Sequence, residues 1–240
     1  MRRFGIKSTP YGFKLMGPKE LQDGLYEPDE TKLIRSYLLE STVFVDIGAN
    51  IGYYTCLAKH AGLKVIAIEP LLYNLEYLYA NLEINGYYDA EVFPVGLAAN
   101  PGLATLFGPG TAASLIQDWA DISTKKRMVP LSTLDIIIGD RFVDEKLLIK
   151  VDVEGAEYEM LKGVDKILAA FPDSVWMTEI VLSGNHPEGL NPNFIKTFEK
   201  FWSHGYKAYT IGKDSNLVSR NDVLTWIKKS DLGGDSIFRK

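Results

Sequence analysis

Cysteine is nearly absent from this chain, with Cys56 the single one in 240 residues. One thiol closes no intrachain disulfide and cannot assemble a thiolate zinc site, so neither device staples the fold. Such sparse use fits a reducing compartment, and a cytoplasmic protein is the expectation. Long apolar runs are missing too, since no stretch approaches the ~20 residues that cross a bilayer. Arg2 and Arg3 have no apolar segment behind them, which excludes a secretory signal in residues 1–19. Positive charge is not in excess: 26 Lys and Arg face 31 Asp and Glu, for a net charge of −5. A mildly acidic chain exerts no general pull on a polyanion, which disfavours nucleic acid as a partner. Internal repeats, low-complexity tracts and linker-like stretches are also lacking.

What remains is ordinary globular usage, 46% hydrophobic and 24% charged, consistent with one domain. Residues 1–27, rich in Gly, Pro and polar side chains, read as a leader of loops and short strands. Residues 28–240 read as the domain proper. Leu33, Ile34, Tyr37 and Leu38 recur at helical spacing behind Pro28, a residue suited to a first turn. The pattern then alternates. Val43–Ile47 and Val65–Ile68 are short apolar runs of the kind that form strands buried on both faces. Tyr53–His60 and the Leu71, Leu75, Leu78, Leu82 series read as helices, ended by Gly62 and by Asn85-Gly86. Glu91–Val95, Leu147–Val151 and Val175–Val181 read as further strands, with helices over 154–161 and 194–202. Asn100-Pro101-Gly102 marks a turn and an extra hairpin. Tyr206–Ile211 and Ser236–Arg239 read as late strands, antiparallel partners at one edge. Strand and helix alternating over short turns predict an α/β, doubly wound, mostly parallel sheet.

Three clusters carry chemistry. In Asp46-Ile-Gly48-Ala-Asn50-Ile-Gly52, a strand runs into a helix at the carboxyl end of a parallel sheet, where ligands bind. Gly48 and Gly52 would let a ligand approach the backbone. The spacing is Gly-x-x-x-Gly, so the dinucleotide fingerprint Gly-x-Gly-x-x-Gly is absent. Asp46 would repel a phosphate and suits a cationic or donor-rich ligand. Glu69, at the end of the second buried strand, is placed to accept hydrogen bonds from ribose hydroxyls, although a helix-start carboxylate would look the same. In the third cluster Lys150 and Asp152 alternate with apolar residues up to a strand end, and Asp152, Glu154 and Glu157 crowd the turn beyond. Carboxylates there invite raised pKa values and proton transfer, with helix capping as the plainer alternative for Asp152 and Glu154. Glu157 reads as a helix-face residue and Lys150 as an ion-pair partner.

The segments VDIGANIGYYT, AIEP and IKVDVEGAEYEMLKG, in that order, resemble the FkbM-type S-adenosylmethionine-dependent methyltransferases, with VPLSTLD and WMTEI in further agreement. The resemblance covers roughly residues 25–182. It implies a class I methyltransferase fold, a Rossmann-like three-layer sandwich with a mostly parallel seven-stranded sheet and an antiparallel edge strand. It also implies S-adenosyl-L-methionine as cofactor and methyl transfer to a hydroxyl, often of a sugar or natural product. That ligand has a ribose for Glu69, an α-amino group for Asp46, a sulfonium and no phosphate. Tyr26, Asp46, Gly48, Asn50, Gly52, Tyr53, Glu69 and Pro70 are the expected cofactor-binding set, with Tyr26, Tyr53 and Tyr54 able to face the sulfonium or simply to pack the core.

A hydroxyl acceptor needs its oxygen aligned with the methyl and its proton removed. The candidate catalytic residues are Asp152, Glu154, Glu179 and His186, with the Asp152/Glu154 turn preferred. His60 and His204 read as structural. Magnesium could be held by Asp152, Glu154 and Glu179, but nothing in the spacing requires a metal and none is assigned. The expected function is O-methylation of a saccharide or glycosylated small molecule. The alternatives are a nucleic-acid methyltransferase, for which the Asn/Asp-Pro-Pro-Tyr/Phe motif is missing, and a non-catalytic nucleoside-binding protein. The sequence names neither the acceptor nor the oligomeric state.

Overall fold

The computed structural model describes residues 4–212, 215–230 and 233–240; Arg2 and Arg3 lie outside them. The leader forms an antiparallel hairpin, β1 (Ile6–Ser8) with β2 (Lys14–Met16), then a short helix α1 (Lys19–Gln22). Helix α2 (Pro28–Leu38) carries Pro28 in its first turn, as its fixed φ favours. The alternation follows as β3 (Val43–Ile47), α3 (Tyr53–His60), β4 (Lys64–Ile68), α4 (Leu72–Asn85) and β5 (Glu91–Phe93). Gly86, at φ 73°, ends α4 in the left-handed conformation that glycine tolerates.

The turn at Asn100-Pro101-Gly102 belongs to a small separate sheet. In it β8 (Lys126–Ser132) pairs with β6 (Gly96–Leu97) and, antiparallel, with β7 (Gly102–Phe107). The chain continues through α5 (Leu134–Ile138), β9 (Leu147–Val151), α6 (Glu157–Leu161), α7 (Asp165–Ala170), β10 (Val175–Val181) and α8 (Phe194–Ser203). It ends with β11 (Lys207–Thr210), β12 (Leu217–Val218), α9 (Arg220–Lys229) and β13 (Gly233–Arg239).

The main sheet has eight strands in the order β12-β11-β13-β10-β9-β3-β4-β5. Seven were expected; the eighth, β12, is a two-residue strand on the outer edge of β11. The late strands are antiparallel partners, but β13 is inserted between β10 and β11 rather than added at the margin. This is the class I methyltransferase architecture, a mostly parallel sheet with antiparallel strands from the C-terminal part.

Period-two alternation divides the core into two layers. Val43, Val45 and Ile47 pack with Leu147, Ile149 and Val151 against α5–α8. Phe44, Val65, Ala67 and Leu148 pack against α2–α4 and the leader residues Phe13 and Leu15. Asn81 and Asn85 of α4 bond the backbone of Met16 and Lys14, which ties the leader down. The chain runs outward from β3 through β4 to β5 and in the other direction from β9 to β10. The reversal lies between β3 and β9, and ligands bind at such a point in open α/β sheets.

Candidate active site

At that reversal the turns after β3 and β9 touch. A Cβ on Gly48 would lie 1.8 Å from the Asp152 carbonyl oxygen, and Gly48 has φ 82°. The Asp152 N–H donates to the Ile47 carbonyl at 3.0 Å. The two glycines were expected to open the backbone to a ligand. Gly48 does line the cleft, but its missing side chain makes room for Asp152. Gly52 is outside the cleft lining, and a Cβ there would meet Leu78 at 2.4 Å, so its role is the seating of α3 on α4.

Two adjoining lobes of about 720 and 980 Å³ open at this point and share Tyr26, Gly48, Asn50, Asn74, Gly110 and Asp152. The first is lined by Glu69, Pro70, Gly96, Leu97, Val153 and Glu154 among others. Glu69 is buried and accepts two backbone N–H bonds, from Asn50 at 2.9 Å and Leu71 at 2.7 Å. Burial raises its pKa to about 7 against the opposing pull of those donors. A carboxylate offers about four lone-pair sites, so capacity remains for hydroxyl donors.

The second lobe holds the charges on the α2–α4 face. Asp46 and Lys150 are register partners on β3 and β9. The Lys150 ammonium donates to Asp152 at 2.8 Å and lies 5.0 Å from the centre of the Tyr54 ring. Burial works against this ammonium, but the Asp152 and Glu27 carboxylates and the hydroxyls of Tyr54 and Tyr26 outweigh it and push its pKa well above the usual lysine range. Asp46 accepts from Thr55 Oγ1 at 2.6 Å, and burial lifts its pKa to about 6 although Lys150 opposes the rise. The Tyr54 hydroxyl donates to Glu27 at 2.8 Å. Tyr26, Tyr53 and Tyr54 pack edge-on or tilted, with centroids 5.1–6.3 Å apart. All three line this lobe, and the cation already under Tyr54 is Lys150.

The β9 turn departs from expectation. Helix α6 begins at Glu157, because Glu154 (φ 53°) and Gly155 (φ 89°) are left-handed and break the helical path. No side chain caps α6, so capping does not account for Asp152 or Glu154. The Glu154 carboxylate accepts the Trp119 indole N–H at 2.8 Å and borders the first lobe. Burial raises its pKa. Glu157 is not on an outer helix face. It is 2% exposed, accepts the Gly155 N–H at 2.8 Å, and burial pushes its pKa to about 8.

Glu179 stands inside β10, two residues beyond Met177, the register partner of Lys150, and so on the same face as Lys150. It lines neither lobe. His186 also lies outside both linings, edge-on to Trp119 with centroids 6.1 Å apart. Among the described residues no group of three or more His, Cys, Asp or Glu is placed to hold a metal ion. Sequence reasoning missed Glu27, Asn74 and Trp119; Glu27, at φ 41°, carried no motif to reveal it.

Residues 46–208, more than half the chain, match the methyltransferase FkbM domain family. The chain belongs to this family. It is therefore an S-adenosylmethionine-dependent methyltransferase. Methyltransferase sdnD of Sordaria araneosa is 26% identical over 205 residues, 71% of this chain and 74% of that protein. Hexuronic acid methyltransferase AglP of Haloferax volcanii is 30% identical over 149 residues, 59% of this chain and 58% of that protein. Among solved structures, precorrin-6y C5,15-methyltransferase from Geobacter metallireducens overlaps with a TM-score of 0.46 at 14% identity, over 94% of each chain. That overlap is loose, and the fold assignment rests on the strand order instead.

The atoms of the cleft suit S-adenosylmethionine. Asn50 Oδ1 and Asn74 Oδ1 are buried acceptors with no partner among the described residues, and both side chains border both lobes. Together with Glu69 and Asp46 they make an acceptor-rich surface for hydroxyl, amino and cationic groups. Lys150 is the one cation among the lining residues, and it is already paired with Asp152, so a phosphate-bearing ligand finds little to hold it. No helix of the described residues is long and apolar enough to cross a membrane.

Proposed function

We propose that this FkbM-family enzyme transfers the methyl group to a hydroxyl of a saccharide or glycosylated small molecule. The observation that carries the reading is the Glu154 carboxyl: half-buried, raised in pKa by its partial burial, and bordering the same lobe as Glu69. S-adenosylmethionine supplies an electrophilic methyl on a sulfonium and departs as a neutral thioether. Glu69 with Asn50 and Pro70 would hold its ribose end, and Asp46, Gly48, Tyr26 and Tyr53 its amino-acid end. A hydroxyl acceptor must shed its proton as the oxygen–carbon bond forms, and a poorly solvated carboxylate is suited to receive it. Asp152 is already engaged by the Lys150 ammonium. Glu154 is the base in this reading, and Asp152 anchors the groups beside it.

The saccharide part draws support from AglP, a hexuronic acid methyltransferase. A nucleic-acid acceptor gains little from the cleft, whose one lining cation among the described residues, Lys150, is already paired with Asp152. The test is a panel of methyl hexuronides, neutral methyl glycosides and aryl alcohols incubated with S-adenosylmethionine, with products read by mass spectrometry. Methylated glycoside accompanied by S-adenosylhomocysteine is expected. Transfer to the aryl alcohols alone would overturn the saccharide assignment, and tight cofactor binding without any product would indicate a binding protein.

A further inference from the structure

The segment between β7 and β8 belongs to no regular element over most of its length, yet it grips the β9 turn at several points. Ser114 Oγ donates to the Glu154 carbonyl at 2.6 Å. The Trp119 indole N–H donates to the Glu154 carboxylate at 2.8 Å. The Trp119 ring lies where a Gly155 side chain would stand, since a Cβ there would come within 2.4 Å of the ring. One residue on, the Ala120 N–H donates to the Asn185 carbonyl at 2.8 Å, which joins this strap to the His186 loop. Asp118 and Ala120 hold left-handed φ values of 60° and 61°, a strained backbone on either side of Trp119. Trp119 itself is 4% exposed.

We propose that Trp119 is a positioning residue for methyl transfer, whose indole N–H and ring fix the Glu154 carboxyl at the wall of the cleft. The inference rests on the reading that Glu154 lies at the transfer site. Among the described residues, Ser114 holds only the Glu154 carbonyl, and the side chain itself is aimed by the indole. The backbone of the turn is left-handed, no cap holds it, and the indole is the one hydrogen-bond donor recorded on the carboxylate among the described residues. A tryptophan suits the task because it offers a single fixed donor on a large rigid body.

The charged surroundings make the indole matter. Burial raises the pKa of Glu154, and the Asp152 and Glu27 carboxylates push the same way, while the Trp119 bond and the Lys150 ammonium oppose them. Glu157 is buried behind the same turn, and the His186 ring stands edge-on to the indole, 6.1 Å between centroids. Removal of the indole N–H takes away a donor that favours the ionised form. The proton-accepting form of Glu154 then becomes scarcer near neutral pH, and its orientation is lost as well.

The test is a carbon-13 titration of the full chain labelled at glutamate carboxyls, with the Glu154 signal assigned by its absence from Glu154→Gln. In Trp119→Phe, which keeps an aromatic ring, the Glu154 midpoint is expected to move up by about one pH unit. Ser114→Ala loosens the same strap without touching the ring, and a smaller upward shift is expected. It decides the matter if Trp119→Phe does not fold. A lowered melting temperature with no movement of the Glu154 midpoint in any folded variant would reduce the strap to a structural prop and overturn the proposal. The underlying reading fails separately, if Glu154→Gln retains wild-type kcat on whichever hexuronide or glycoside the panel finds to be methylated.

Discussion

Glu69 and Glu154, which both border the first lobe, are held in opposite ways. Glu69 is held mainly by backbone: the N–H groups of Asn50 and Leu71 belong to the turns that also place it, with the nearby Asn74 side chain as a further donor. Glu154 is fixed by a side chain 35 residues earlier in the chain, carried on an irregular strap. Backbone donors remain whatever side chains surround them, so such a site tolerates drift elsewhere. A carboxylate aimed by one distant indole can be re-aimed by changes in the strap. In the proposed reading the cofactor end of the cleft is held by local turns, and the acceptor end depends on a side chain from a distant irregular segment.

Gly48 joins the two ends, and its loss should have the largest effect. Gly48→Ala places a Cβ against the Asp152 carbonyl and forces a left-handed alanine. About 4 kcal/mol of destabilisation is expected, near 10 °C in Tm for a chain of this size. Thermal unfolding with little change would mean that the turns are not locked together. Next comes Glu69→Ala. The loss of hydrogen bonds from two hydroxyls to a charged acceptor should weaken S-adenosylmethionine by about a hundredfold or more. Near-native affinity by calorimetry would break the assignment of this end. The wild-type pH dependence sharpens it. Glu69 titrates at about 7, and hydroxyl donors favour its ionised form, so affinity should rise from pH 6 to pH 8.

The same contrast governs what was legible in the sequence. Asp46, Gly48, Asn50 and Glu69 sit within two short strand-to-helix turns, where apolar runs and glycine punctuation mark the boundaries. Strands β3, β9 and β10 begin and end where the apolar runs do. Trp119 was hidden because residues 108–125 have no periodicity, and the left-handed residues that flank it directly are Asp118 and Ala120 rather than glycines. The insertion of β13 between β10 and β11 is a long-range pairing, which no local pattern encodes. Helix α9 is different: Ser219 and Asp222 form a capping box, and Ser-x-x-Asp before an apolar residue was a signal present in the sequence. Glu157 lies on helix α6 as its spacing suggested, but on the buried face, where it accepts the Gly155 N–H of the turn before it.

Glu157 yields the next prediction. Its folded pKa of about 8 lies above the ordinary 4.5. The native state therefore keeps a proton that the unfolded chain has lost, and stability falls as pH rises across that window. Gln cannot ionise and can still accept the Gly155 N–H. Glu157→Gln should match wild type below pH 4.5 and be more stable above pH 8. Relaxation around the buried charge reduces the gain to about 2 kcal/mol. Equal pH profiles in denaturant titrations would show that water reaches this carboxyl.

The smallest effects belong to Glu179 and His186, the two candidate bases that border neither lobe. His186 touches the site only through the edge of Trp119, and its Nδ1 already accepts the Glu188 N–H at 3.1 Å. If Glu154 takes the proton, His186→Ala and Glu179→Gln should each lower kcat by less than about threefold, the range of a neighbour that merely packs. The discriminating result is a large one. A hundredfold fall in kcat for His186→Ala at unchanged KM would make the imidazole the proton acceptor. Trp119 would then serve to orient the histidine loop rather than the carboxylate, through the edge-on contact of the two rings and the Ala120 bond to Asn185.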